Sequence, residues 1–109
     1  MVKYLFGDIV IIAFPYTNMN NTVMRPAMVI MDTGDEDIIV ARITSQKRNT
    51  ENEVEINRWK SKGLLMASYV RLSKIATLNR RDIRKKISRM DEEDIIKAKM
   101  ILKKLMNID

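Results

Sequence analysis

The sequence predicts a mainly β domain closed by a single C-terminal helix. Short β-branched runs separated by turn residues recur from Gly7 to Met90. The apolar spacing changes to a helical period only after Asp91. With 109 residues, 46% of them hydrophobic, the chain can build one core and has no room for two, so 1–109 reads as a single domain. Many short strands with frequent turns favour a small barrel or sandwich over a parallel α/β sheet.

Each element follows from local chemistry. Gly7-Asp8-Ile9-Val10-Ile11-Ile12-Ala13-Phe14 is a β-branched run stopped by Pro15, as a buried strand would be. Tyr16 to Met24 is polar and Asn-rich, with Asn18, Asn20 and Asn21, and reads as a loop. Arg25-Pro26 opens a second strand, Ala27 to Met31, where a proline at the start loses no needed N–H. Asp32-Thr33-Gly34-Asp35-Glu36 is a turn leading to a third strand, Asp37 to Ile43, which Thr44-Ser45-Gln46 ends. Glu53-Val54-Glu55-Ile56 alternates like a half-exposed strand, Gly63 marks a turn, and Tyr69 to Leu72 carries the β signal on to Ile75–Leu78. Asn79 with Asp82 suggests a capped single helical turn, and Lys86 to Met90 a last strand. In the final helix Ile95, Ala98, Leu102, Leu105 and Met106 form one stripe with Ile101 beside it, so all are expected in the core. Acids at Asp91 to Asp94 and lysines at 103 and 104 suit the two ends of its dipole.

Composition excludes several chemistries. The chain has no His and no Cys, which removes imidazole nucleases, Ser-His-Asp hydrolysis, thiolate metal sites and disulfides. No apolar run approaches the roughly 20 residues of a membrane span. Met1 to Leu5 does not read as a secretory signal, so the cytoplasm is the expected address. The net charge is +6, with the basic excess between Lys47 and Arg89. Such a surface attracts polyanions, although a merely solvated basic face is the rival reading. The acids Asp32, Asp35, Glu36 and Asp37 miss the calcium-loop spacing and read as a turn.

Four short pieces stand at strand ends: Gly7-Asp8-Ile9-Val10, Arg25-Pro26-Ala27-Met28-Val29-Ile30, Ile43-Thr44-Ser45-Gln46, and Gly63-Leu64 followed by Val70-Arg71-Leu72, Ile75 and Thr77-Leu78. In this order, with the acid-started helix behind them, they resemble the MazF/PemK family of toxins from Gly7 to about Leu105. The resemblance implies a small SH3-like barrel of the CcdB/MazF plasmid maintenance type, acting as a homodimer. It implies a sequence-selective endoribonuclease that cuts single-stranded RNA without metal or cofactor, leaving a cyclic phosphate and a 5′-hydroxyl. It also implies inhibition by a cognate antitoxin, with DNA binding by the toxin–antitoxin complex. Arg25 and Thr44 match the catalytic arginine and threonine of that family, and Arg71 matches a second functional arginine found in part of it; Ser45 and Gln46 would supply further donors to the RNA backbone or a base, and Asn18 and Asn20, in the first loop, would join these as RNA-binding residues. Ser73 stands where part of the family has an acid, and the first loop has no His.

The residue types suit this chemistry independently. When a ribose 2′-hydroxyl attacks its own phosphate, negative charge grows on the non-bridging oxygens. A guanidinium binds two such oxygens at once. Alone, however, Arg25 could be a surface charge and Thr44-Ser45 a strand-end cap. Trp59 and Tyr69 could stack bases or serve the core or a dimer contact, and Asp8 reads as a turn or pairing residue rather than a base. Two other functions stay open: a gyrase poison of the CcdB type, which would need Met106 to Asp109, and an RNA-binding module whose catalytic site has decayed.

Overall fold

The computed structural model describes residues 2–15 and 22–108. It contains β1 (Asp8–Pro15), β2 (Thr22–Asp32), β3 (Asp37–Thr44), β4 (Glu53–Glu55), β5 (Tyr69–Asn79), a 3-10 turn (Arg80–Asp82), β6 (Ile83–Arg89) and α1 (Glu92–Leu105). The expected strands and helix are all present. β2 starts earlier than the Arg25-Pro26 signal suggested, because Val23 and Met24 extend the ladder with β1. The expected cap is also seen: Asn79 accepts a hydrogen bond from the Arg81 N–H at 3.0 Å.

The six strands form one antiparallel sheet in the order β4-β5-β3-β2-β1-β6. Among the described residues its two edges, β4 and β6, are not paired with each other, so the barrel is not closed by hydrogen bonds. Register shifts in three of the ladders strengthen the twist and curl the sheet. The largest lies in β5, where Ala41 faces Ile75 but the next residue, Arg42, faces Arg71.

Curling gives the sheet two apolar clusters. One gathers Ile9, Met28, Ile43, Ile56, Val70 and Leu72 under the Ile95, Ala98 and Leu102 stripe of α1, with Trp59 and Ile101 packed at its margin. The other collects Val10, Ile12, Ala27, Val29, Ile38 and Val40 beneath Tyr4, Leu78 and Ile83. Gly7 holds the junction: its N–H donates to the Val29 carbonyl and its carbonyl accepts from Met90 N–H. Its φ is +95°, and a Cβ there would stand 2.7 Å from Ile95. Both facts require glycine.

The helix stripe needs one correction. Ile95, Ala98 and Leu102 are buried, but Leu105 is 41% exposed and Met106 is exposed as well. The last turn of α1 overhangs the sheet it packs on. Asp94 is instead fully buried, its carboxylate accepting from the backbone and side-chain N–H groups of Asn57 at 2.8 Å each.

Candidate active site

Where β2 and β3 run together their register is Ala27 opposite Arg42. Pro26 has no N–H to contribute, and the β2–β3 ladder ends there. Continuing that register by two residues sets Arg25 across from Thr44. The strand ends border an open groove of about 470 Å³, lined by Arg25, Arg42, Thr44, Ser45 and Gln46 on one side and by Gly63 to Met66 on the other. Four of the residues singled out in the sequence are therefore brought together: Arg25, Thr44, Ser45 and Gln46.

Arg25 is exposed, and among the described residues it has no salt-bridge partner. Thr44 is half-buried, and its Oγ1 accepts from the Gln46 N–H at 3.1 Å. That contact orients the hydroxyl and leaves its hydrogen to be donated into the groove. The Gln46 side-chain oxygen accepts from Arg48 Nη2 at 3.1 Å, which leaves its amide hydrogens to donate. The groove thus presents two guanidiniums, hydroxyls and an amide, and no carboxylate lines it. Its far wall is apolar: Leu64 is buried and Leu65 stands 94% exposed.

Arg71 does not line the groove. It lies on β5, directly opposite Arg42 and next to Glu53 of β4. Asn18 and Asn20 lie outside the described residues. Asp8 is buried, accepts the Leu5 N–H at 2.9 Å and faces Lys86 and Arg89 at 3.3 Å each, so it is a pairing residue. Asp32 is tied to Arg80 and to the N–H groups of Tyr4 and Gly34, as a turn residue would be.

The sequence reading missed Arg42 and the Leu65–Met66 wall. Arg42 had a visible signal: it is the one charge inside the apolar run Ile38 to Ile43. The wall had none, since a short apolar run after a glycine does not by itself mark a binding surface.

Residues 6–106 match the family described as PemK-like, MazF-like toxin of type II toxin-antitoxin system. A search of curated protein sequences finds no match. Among solved structures, the chain is similar to an endoribonuclease in complex with its cognate antitoxin from a mycobacterial species, with TM-score 0.78 at 16% identity over 97% of each chain. It is similar to MazF in a MazE-MazF complex from Deinococcus radiodurans, with TM-score 0.77 at 17% identity over 100% of each chain. A third relative in shape is the Mycobacterium tuberculosis toxin MazF-mt6, with TM-score 0.73 at 17% identity, covering 92% of this chain and 98% of that one. At such identities the structural likeness concerns the fold; the sequence match, spanning nearly the whole chain, concerns the family. By that match the chain belongs to the PemK-like, MazF-like toxins of type II toxin-antitoxin systems.

Proposed function

We propose that the chain is an endoribonuclease toxin that cuts single-stranded RNA at the groove between the ends of β2 and β3. The observation that carries this reading is the meeting of Arg25 and Thr44, from neighbouring strands, at one open and basic groove. The O2′ of a ribose attacks the adjacent phosphorus, a P–O2′ bond forms, and the P–O5′ bond breaks. The 2′-hydroxyl proton passes to water and the leaving 5′-oxygen takes one from water, so the products are a cyclic phosphate and a 5′-hydroxyl. Arg25 stabilises the charge that grows on the phosphoryl oxygens, and Thr44 donates its hydroxyl hydrogen to one of them. Ser45 and Gln46 donate to the neighbouring backbone or base.

The groove contains neither imidazole nor carboxylate, so charge stabilisation rather than proton transfer is assigned the main part of the rate. Its donor set of guanidinium, hydroxyl and amide requires no metal. The similar endoribonuclease and MazF structures described with an antitoxin support a cognate antitoxin as partner. The reading includes action of residues 1–109 as one toxin domain, a homodimeric state, DNA binding by the antitoxin complex and a cytoplasmic site of action. Among the described residues, no helix is long and apolar enough to cross a membrane.

The test is incubation with mixed-sequence single-stranded RNA in excess EDTA, beside Arg25→Ala, with the new ends mapped. Cutting by the parent protein alone, leaving 5′-hydroxyl ends, is expected. Equal cutting by both proteins would place the chemistry elsewhere, and cutting by neither would favour the CcdB-type or decayed-site alternatives.

A further inference from the structure

We propose that Arg42 and Arg71 form a second anion subsite, which holds the RNA phosphate one step along from the scissile one. The inference takes its substrate from the ribonuclease reading above.

Arg42 of β3 and Arg71 of β5 are direct cross-strand partners, so their Cα atoms stand about 4.5–5.5 Å apart. Like charges placed directly opposite destabilise a sheet. The pairing is set by the shift in β5: on the register of Ala41 with Ile75, Arg42 would meet Lys74, and the shift brings it Arg71 instead. Both side chains lie on the face opposite the core, because the flanking Ala41, Ile43, Val70 and Leu72 are buried. Among the described residues neither guanidinium has a salt-bridge partner. Glu53 is the acid next to Arg71 in register, yet its carboxylate accepts instead from the N–H groups of Arg48 and Asn49 at 3.1 and 2.8 Å. Two adjacent guanidiniums, neither bridged to a carboxylate among the described residues, make a clamp for one phosphate.

The position of the clamp fixes its role. Arg42 lies two residues before Thr44 on the same face of β3, about 6–7 Å along the strand. That separation is on the scale of one nucleotide step. Tyr69 of β5 faces Thr44 in register on this face and is half-buried. An aromatic ring one row along from the arginine pair suits a strand of stacked bases better than an acidic peptide.

The test is equilibrium binding of the full chain to a short 2′-O-methyl RNA, which cannot be cut, across a salt series. Arg42→Ala is expected to weaken binding by about 10- to 100-fold at low salt. It should also reduce the slope of log affinity against log salt by about 0.7. Arg42→Lys keeps the slope and recovers part of the affinity, since a point charge replaces a fork. The melting temperature of Arg42→Ala stays level or rises, because a like-charge contact is removed. On cleavable RNA its KM rises by a larger factor than kcat falls.

Unchanged affinity and salt slope in Arg42→Ala would overturn the subsite, even if the parent protein cuts RNA. So would a lowered melting temperature with affinity lost only in step with unfolding, which marks a structural role. Weakened binding by Arg42→Ala, with a parent protein that binds but never cuts, would keep the subsite and remove the ribonuclease reading alone.

Discussion

Six of the nine arginines of this protein form two groups that differ in their company. Arg80, Arg58 and Arg89 each reach a carboxylate and join segments far apart in the chain: Arg80 to Asp32, Arg58 to Asp91, Arg89 to Asp8. Arg25, Arg42 and Arg71 sit on neighbouring strands, and among the described residues none is paired with an acid. The first group is neutralised within the fold and acts on its stability. The second keeps its charge for something that the chain does not contain. Within these six, pairing separates scaffold from site; Arg48, Arg81 and Arg84 are also without an acid partner among the described residues and belong to neither group.

Substitutions can break that division. The largest effect is expected from Arg25→Ala, which should reduce the cleavage rate by about 10²–10³-fold, the usual cost of losing one transition-state donor. Its melting temperature should be unchanged; a marked fall would move Arg25 into the scaffold group. Arg80→Ala should do the reverse. It leaves the Asp32 carboxylate, 1% exposed, without its main partner, so the melting temperature falls by several degrees. Cleavage per folded molecule in the cold should persist, and a selective loss of cleavage would count against the division.

Acid gives a smaller, graded effect whose sign follows from three aspartates. Arg80 beside Asp32, and Arg58 with Lys62 beside Asp91, hold both carboxyls well below the usual carboxylate range. Their stabilisation is complete above the unfolded value of about 3.9 and is lost as pH falls toward the depressed folded values. Burial pushes the Asp94 carboxyl up. Its charged form therefore opposes the fold, and protonation on acidification relieves that cost. Melting temperatures measured against pH should stay level or rise slightly from neutrality to about pH 5, then fall below about pH 4. A steady fall from pH 7 to 5 would contradict the assignment. The smallest effect is expected from Arg58→Ala. Its side chain is 70% exposed, and Lys62, 11% exposed and 2.8 Å from Asp91, remains to hold that carboxylate. Melting should shift little, and a large fall would show that Arg58 alone secures the start of α1.

Much of this arrangement is legible in the residues because it depends on neighbours in sequence. β-branched runs, the Pro15 stop, the Asn79 cap and the helical spacing after Asp91 are local signals, and the corresponding elements are present. Arg25 and Thr44 were legible through their order among the motif pieces, and both line the groove. The misses depend on tertiary placement. Helical spacing identifies a face but not how far the opposing sheet extends, so Leu105 and Met106 share the stripe of Leu102 without its burial. Asp94 reads as a dipole-complementing acid on an exposed first turn; only the approach of Asn57, 37 residues away, makes its burial affordable. The meeting of Arg42 with Arg71 depends on a register shift, and no local rule predicts where a ladder slips by three residues.

Gly7 and the β1–β6 ladder also set an order of events in time. The first strand finds its outer partner in the last, with Asp8 opposite Arg89, and Gly7 meets Ile95 in the helix beyond. Contacts so distant along the chain are slow to form. A growing polypeptide can pair β1, β2 and β3 early, but the charge of Asp8 has no answer until Lys86 and Arg89 have been made. The finished fold is therefore a late product of its own synthesis, completed when the last strand returns to the first.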